Sequence, residues 1–192
     1  MSTDRILVHK SAISEFKTAF AAAIEKQVLS KSDAGLVPVI NTASARKNRN
    51  LIANALERGA SLEFGTQDTV SEVPTQMQPT VISGVDSTMD IYQEEAFGPS
   101  VSLFTFETEQ EALELANNTA YGLSAAVFTS DLQTGLRMSR QLESGAVHIN
   151  SMTVHDEYGL PHGGVKASGF GRFNGYQGLE EFLYYKTVTW VD

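Results

Sequence analysis

The stretch VSLFTFETEQEALELANNTAYGLSAAVFTSD, residues 101–131, contains the pattern that decides the fold. It begins with alternating residues and two phenylalanines over Val101–Phe106, a pattern that predicts a strand. The next segment, Thr108–Glu111, has the order of a capping box and predicts a helix that ends near Asn117. A second strand is predicted at Leu123–Thr129. Strand, helix and strand joined by short connections favour parallel pairing with the helix packed on the sheet.

The same order of elements extends in both directions from this stretch. Further strands are predicted at Ile6–Val8, Ser61–Phe64, Pro79–Ser83, Ala146–Ile149 and Lys186–Val191. Further helices are predicted after the cap Ser11, from Thr42 to Leu56, and from the cap Ser130 to Leu142, with Gly59 and Gly145 as stops. The sequence therefore predicts an α/β fold in a single domain, residues 1–192, with a mostly parallel sheet flanked by helices.

Apolar periodicity supports the first two helices. The first has one apolar residue at every fourth position, namely Phe16, Phe20, Ile24 and Val28. The second is predicted to bury Leu51, Ile52, Ala55 and Leu56. Spacing of three and four residues places such side chains on one helix face, so both helices are expected to cover the sheet.

Composition restricts the classes of partner. A formal charge of -9 and a pI near 4.9 argue against binding to nucleic acid, whose phosphates favour basic surfaces. The chain has no cysteine, which excludes disulfides, thiolate-bound metals and a cysteine nucleophile supplied by these residues. No apolar run is long enough for a signal-peptide core or a membrane span, so we expect a cytoplasmic protein without membrane contact.

Residues 151–178 differ from the rest of the chain in glycine content and in their lack of apolar periodicity. This segment, SMTVHDEYGLPHGGVKASGFGRFNGYQG, has seven of the fifteen glycines and no apolar period. Its Gly169, Gly171 and Gly175 have neither the spacing nor the strand before them that a dinucleotide fingerprint requires, so tight turns explain them better. Loops of this length in compact domains are usually functional or disordered, and the aromatic content of this segment favours a functional loop, so it is a candidate site.

Five side chains of this loop are suited to proton transfer: His155, Asp156, Glu157, Tyr158 and His162. No metal-ligand spacing accompanies the histidines, so no metal is expected. A triad of Ser151, His155 and Asp156 is disfavoured because neighbouring side chains in sequence seldom meet. Histidines in a loop are more often structural than catalytic, but imidazole is the group best suited to acid and base catalysis near neutral pH.

Five segments together carry a family resemblance. They are QEEAFGPSVSLFTF (93–106), ANNTAYGLSAAVFTSD (116–131), SGAVHIN (144–150), LPHGGVKASGFGRFNG (160–175) and KTVTW (186–190). In order and spacing they resemble the carboxyl-terminal catalytic domain of NAD(P)-dependent aldehyde dehydrogenases. The residues of these segments are most similar to those of the branch that acts on aromatic aldehydes such as salicylaldehyde or vanillin, particularly in fungi.

The resemblance implies roles for two residues of QEEAFGP. Glu95 matches the family glutamate that holds the nicotinamide ribose, and Phe97 matches a residue that contacts the nicotinamide side of the site. The family's cofactor domain, general base and nucleophilic cysteine would all precede Met1. We therefore expect a truncated domain in which Glu95 and Phe97 are vestigial. Such a chain would neither bind NAD tightly nor oxidise aldehydes alone, so no cofactor is expected for it.

The resemblance also places residues 151–178 along the family's substrate tunnel, with His162 where many members carry an aromatic residue. Three functions remain open. The first is a non-redox enzyme that cyclises, isomerises or hydrolyses an aromatic or polyketide-like molecule, as in secondary metabolism, with Glu95 added to the candidate acids and bases. The second is a non-catalytic pseudoenzyme that binds a pathway enzyme, and the third is a fragment of an ordinary dehydrogenase. A homodimer is expected because the resemblance leaves apolar surface and an edge strand uncovered.

Overall fold

The computed structural model describes residues 3–26, 38–66 and 73–192. The chain divides into two compact units, Met1–Ala116 and Asn117–Asp192. The first unit contains a four-stranded sheet, and the second contains two sheets of two strands each. None of the helices in the described residues is both long and apolar enough to span a membrane.

The elements of the first unit follow the predicted order, except that one short helix, Asp90–Gln93, was not predicted. They are β1 (Arg5–His9), α1 (Ile13–Ile24), α2 (Thr42–Glu57), β2 (Ser61–Phe64), β3 (Thr80–Ser83), α3 (Asp90–Gln93), β4 (Ser100–Phe106) and α4 (Glu109–Asn117). The strands predicted for this unit are thus confirmed. In the sheet the order is β1-β4-β3-β2, with β1, β4 and β3 parallel and β2 antiparallel to β3.

Helices cover both faces of this sheet. Successive residues of a strand point to opposite faces, so each central strand contributes to two core clusters. Ile82 and Phe104 belong to a core cluster with α2 and α3. Val81 and Leu103, one position earlier on each strand, belong to a second cluster with α1. Burial on both faces explains why two apolar residues stand side by side at Val81–Ile82 and at Leu103–Phe104 in the central strands.

The start of α1 differs from the prediction. Ala12 is the N-cap residue, and no side chain caps the helix. The hydroxyl of Ser11 instead lies 2.7 Å from Nδ1 of His9. The predicted Ser11 cap is therefore wrong, because Ala12 takes the cap position and the Ser11 hydroxyl turns back to the His9 ring. Val28 of the predicted stripe lies outside the described residues.

Helices α2 and α4 confirm their predicted limits to within one residue. Asn41 caps α2 by accepting a bond from the Ser44 N–H at 2.8 Å, and Gly59 follows the helix with φ of +104°. At α4 the Glu111 N–H donates to the Thr108 hydroxyl at 3.2 Å, and the Glu111 carboxylate accepts from the Glu107 N–H at 2.8 Å. These reciprocal bonds satisfy N–H groups that a helix start leaves free.

The elements of the second unit are shorter. They are β5 (Tyr121–Gly122), β6 (Ser124–Val127), α5 (Leu132–Ser139), β7 (Ala146–Ile149), β8 (Val165–Lys166) and α6 (Gly175–Glu180). Strands β6 and β7 pair in parallel, and β5 pairs with β8 antiparallel. The two predicted strands around α5 are thus confirmed as a parallel pair.

Both predicted limits of α5 are corrected. Its cap is Asp131, whose carboxylate accepts from Gln133 and Thr134 N–H groups at 3.2 and 3.0 Å, and the helix ends at Ser139. A carboxylate reaches two N–H groups at once, so it displaces Ser130 from that role. Gly145 is required for another reason, since a Cβ there would overlap the Gly163 carbonyl.

The predicted strand at Lys186–Val191 is wrong, because residues 183–192 have no regular secondary structure. A strand is stabilised by a neighbouring ladder, and none of the described strands pairs with this segment. The predicted α/β class is confirmed, with helices beside mixed sheets instead of one mostly parallel sheet.

Candidate functional site

Two groups of side chains can carry chemistry, one in each unit. The first is the turn Glu94–Pro99, which connects α3 to β4 and is called the 94–99 turn below. It leaves α3 in extended conformation at Glu94, buries Ala96, and then reverses at Phe97 with φ of +49°. A positive φ is uncommon for a residue with a bulky side chain, so the surrounding contacts must hold it.

Asn48 of α2 provides those contacts. Its side chain is fully buried and donates from Nδ2 to the Ala96 carbonyl at 2.7 Å and to the Ser44 carbonyl at 3.1 Å. Its Oδ1 accepts from the Ser100 hydroxyl at 3.0 Å. A Cβ on Gly98 would overlap this amide, which explains why glycine follows Phe97. One buried amide therefore fixes the turn from both ends.

Lys47 holds the exposed side of the same turn. Its ammonium donates to the Glu95 carbonyl at 2.9 Å and lies 3.3 Å from the Glu94 carboxylate. The Glu95 backbone is therefore fixed while its side chain is half-buried. Among the residues that the structure describes, none donates a hydrogen bond to the Glu95 carboxylate. The Phe97 ring is 64% exposed. The turn thus presents an open carboxylate and a ring on a rigid backbone.

Asp4 adds a second carboxylate behind this turn. Burial and, to a smaller extent, the charge of Glu95 raise the pKa of Asp4 from 3.8 to about 6, although the hydrogen bond from the Ala96 N–H acts to lower it. The buried oxygen Oδ1 of Asp4 has no hydrogen-bond partner. Asp4 did not stand out in the sequence, since a lone aspartate before a strand gives no signal of its surroundings.

The second group lines a cavity of about 240 Å³ in the second unit, called the histidine cavity below. Its polar lining residues are His148, His155, Asp156, Glu157 and His162. Strand β7 carries His148, and an isolated bridge between His162 and Phe173 closes the loop that carries the rest. Four of the five predicted acid and base residues are thus brought together.

Tyr158 is the predicted residue that does not join them, since it is 93% exposed and is not part of the cavity lining. His148 joins the group although it was not among the candidates. The strand predicted at Ala146–Ile149 could have placed the His148 side chain on one face of a strand. It could not have shown that the side chain faces the loop. The rings of His148 and His155 lie 5.1 Å apart.

The carboxylates of the cavity already have partners. His155 Nε2 lies 2.8 Å from the Glu157 carboxylate, and Asp156 accepts from the Asn174 amide at 2.6 Å. His155 therefore pairs with Glu157 instead of its neighbour Asp156. Burial lowers the pKa of His148, and the nearby His155 and His162 lower it further. Within the described ranges no group of three or more His, Asp or Glu side chains could hold a metal ion.

The fold of mixed sheets flanked by helices places the chain in the α/β class. Comparison with known proteins then gives the family. Residues 1–188 match the aldehyde dehydrogenase family, so the chain belongs to this family.

Curated relatives agree with this assignment. The chain is 38% identical to vanillin dehydrogenase of Pseudomonas fluorescens over 98% of its length, and 36% identical to a benzaldehyde dehydrogenase of Bacillus subtilis over 100%. In both comparisons it spans 39% of the relative's length.

Solved structures share the fold. A point mutant of betaine aldehyde dehydrogenase from Staphylococcus aureus, in complex with NAD+, superposes with a TM-score of 0.85 at 37% identity. The match covers 95% of this chain and 38% of that one. Succinate-semialdehyde dehydrogenase from Burkholderia pseudomallei gives a TM-score of 0.82 at 36% identity, covering 93% and 37%.

Proposed function

We propose that this chain supplies the part of an NAD(P)-dependent aldehyde dehydrogenase that contacts the nicotinamide ribose, in an enzyme that oxidises an aromatic aldehyde. The observation that carries the proposal is the 94–99 turn, with its open Glu95 carboxylate on a fixed backbone. The similarity to vanillin and benzaldehyde dehydrogenases supports the aromatic class of aldehyde.

The residues of the turn fit the cofactor. A carboxylate has two acceptor oxygens, which match the neighbouring hydroxyl donors of a ribose. The Glu95 carboxylate accepts no bond within the described part of the chain, so it remains available to such donors. The exposed ring of Phe97 offers an apolar face beside it. When bound, NAD(P) would supply the hydride acceptor of the oxidation, while Glu95 and Phe97 bind and orient it.

Rigidity of the turn is what the reaction needs from these residues. Correct orientation of reactants contributes several kcal/mol to catalysis, and small misplacements reduce it strongly. Asn48 and Lys47 hold the backbone at Ala96 and Glu95 before any ligand arrives. The turn is therefore preorganised, and the cost of ordering Glu95 on binding is reduced.

A complementation assay tests this proposal. The chain is mixed with the remaining amino-terminal part of the Pseudomonas fluorescens vanillin dehydrogenase, and formation of reduced NAD is followed with vanillin. We expect turnover from the mixture and none from either part alone. A mixture that associates, as judged by co-elution, but leaves NAD oxidised would count against the proposal.

The second candidate function is cofactor-independent acid and base chemistry at the histidine cavity. The observation that favours it is the pairing of His155 with Glu157, because a carboxylate that orients an imidazole is a recurring arrangement in general-base catalysis. The substrate would be a small aromatic or polyketide-like molecule that is cyclised, isomerised or hydrolysed. Metabolite profiling after deletion of the gene would reveal an accumulated substrate.

The purified chain should convert that substrate without NAD(P). Replacement of His155 or His162 by alanine should lower the rate at least a hundredfold, in the range expected for loss of a general acid or base. Unchanged conversion by both variants would exclude this candidate.

A further inference from the structure

Asn174 and Gly175 form the one Asn-Gly pair of the chain. Such pairs are prone to deamidation, because glycine has no side chain to hinder attack of its backbone nitrogen on the preceding side-chain amide. The bond from the Gly175 nitrogen to Cγ forms as the bond from Cγ to Nδ2 breaks, and the Gly175 N–H proton leaves with the ammonia. Water then opens the succinimide to aspartate or isoaspartate. The reaction consumes one water, releases one ammonia and involves no oxidation.

Both reacting groups of this pair are engaged in hydrogen bonds. The Asn174 Nδ2 donates to the Asp156 carboxylate at 2.6 Å, and the Gly175 N–H donates to the Tyr158 carbonyl at 2.9 Å. Attack requires the Gly175 nitrogen to leave its acceptor and the Asn174 amide to turn toward it. Both hydrogen bonds therefore oppose the reaction in the folded chain.

The bond to Asp156 is the stronger restraint, because a hydrogen bond to a carboxylate is roughly twice as strong as one between neutral groups. It also ties residues 173–175 to residues 156–162, together with the Gly175 bond and the isolated bridge between His162 and Phe173. The conformation of the loop thus depends on an amide that its own neighbour can destroy.

We propose that Asn174 is a deamidation site whose rate Asp156 controls, and that the resulting carboxylate releases the loop. The new carboxylate would face that of Asp156 across the 2.6 Å now spanned by a hydrogen bond. Two carboxylates this close repel each other, and neither can donate a hydrogen bond when ionised. Deamidation is then a one-way switch that frees residues 155–162, which include four polar residues of the histidine cavity.

The deamidation rate of the purified chain tests the role of Asp156. Mass spectrometry of the peptide that contains residue 174 follows the exchange of an amide NH2 for OH at mildly alkaline pH. Asp156→Ala should accelerate deamidation at least about fivefold over the wild-type chain. Asp156→Asn keeps an oxygen that accepts from the Asn174 amide, so its rate should stay within about twofold of wild type.

Glu181→Ala is the matched control for general loosening of the loop. It removes another carboxylate of this region, one that accepts from the Arg172 N–H at 3.1 Å and does not bond to Asn174. Its rate should equal that of wild type. Equal rates for Asp156→Ala and wild type would overturn the proposal, and so would an equal acceleration in Glu181→Ala.

Hydrogen exchange tests the release of the loop. Asn174→Asp, which reproduces the aspartate product, should speed exchange of the His162 N–H, now bonded to the Phe173 carbonyl at 2.8 Å, at least tenfold. Adding Asp156→Asn should restore slow exchange, because it again places one amide opposite one carboxylate. Unchanged exchange in Asn174→Asp, or no rescue in the double variant, would overturn the proposal. Both tests use the purified chain without NAD(P), so their outcome is independent of the proposed function.

Discussion

At the scale of single residues, Asn48 organises the 94–99 turn. It is fully buried and joins three partners from α2, the turn and β4 through one amide. A buried amide of this kind is costly unless every bond is made, and loss of the amide would leave the Ala96 carbonyl without its donor. The position of Glu95 therefore depends on a residue that touches no ligand.

Asn48→Ala should lower the free energy of unfolding by about 2 to 4 kcal/mol, since it leaves buried polar partners unsatisfied and opens a small cavity. Denaturant unfolding measures this change. Asn50→Ala, an exposed position two residues further along α2, is the control and should change stability by less than about 0.5 kcal/mol. Equal effects of the two variants would show that the amide network is unimportant.

Asp4 gives a pH dependence of stability with a defined sign. Its pKa is raised from 3.8 to about 6 in the folded chain, so the folded state holds the proton more tightly than the unfolded state. The tighter binding of this proton by the folded state stabilises the fold fully below about pH 4. This stabilisation is lost as the pH rises through 6. At pH 7.5 the ionised carboxylate costs about 1 to 2 kcal/mol after allowance for partial solvent screening.

Asp4→Asn should therefore raise the thermal midpoint at pH 7.5 and leave it nearly unchanged at pH 4. The amide retains an oxygen that accepts from the Ala96 N–H. Thermal melts of both proteins across this pH range provide the measurement. A lower midpoint for the variant at pH 7.5 would mean that the charge stabilises the folded chain.

At the scale of secondary-structure elements, the start of α5 depends on Asp131. Asp131→Ala should destabilise the chain by about 1 kcal/mol, because two N–H groups lose their acceptor. Ser130→Ala is the matched control and should cost no more than a few tenths of a kcal/mol. The urea unfolding midpoints of the two variants show which residue caps α5. A larger loss of stability for Ser130→Ala would support Ser130 as the cap, as the sequence predicted.

Prediction from the sequence succeeded where a local pattern is enough. The alternation in Val101–Phe106 and the capping box at Thr108 define β4 and α4 without reference to other parts of the chain. It failed at Ser11 because the competing partner of the hydroxyl is the His9 ring, and at Lys186–Val191 because an alternating pattern forms a strand only beside another strand. His148 and Asp4 were missed because their roles arise from long-range contacts.

At the scale of the whole molecule, the end of the chain exposes a continuous group of apolar side chains. Its exposed members are Phe182, Leu183, Tyr184, Tyr185, Val188, Trp190 and Val191. Exposed apolar groups of this size usually mark interaction surfaces. We propose that the segment 182–191 mediates self-association into a homodimer.

Sedimentation equilibrium tests the homodimer. The chain should dimerise at micromolar concentration, and more tightly at high salt, because screening weakens repulsion between chains of charge -9. Trp190→Ser should weaken the dimer at least tenfold. Tyr158→Ser, which removes an equally exposed aromatic side chain outside the segment, should leave it unchanged. A monomer at all concentrations would contradict this expectation.

The central claim is that Glu95 binds the nicotinamide ribose, and a chimeric enzyme tests it most directly. In the chimera this chain replaces the corresponding part of the Pseudomonas fluorescens vanillin dehydrogenase, and kcat/KM for NAD+ is measured. Glu95→Gln should lower this value ten- to a hundredfold, as expected for loss of a charged hydrogen bond, whereas Glu94→Gln should change it less than about twofold. Equal values for the two variants would contradict the claim.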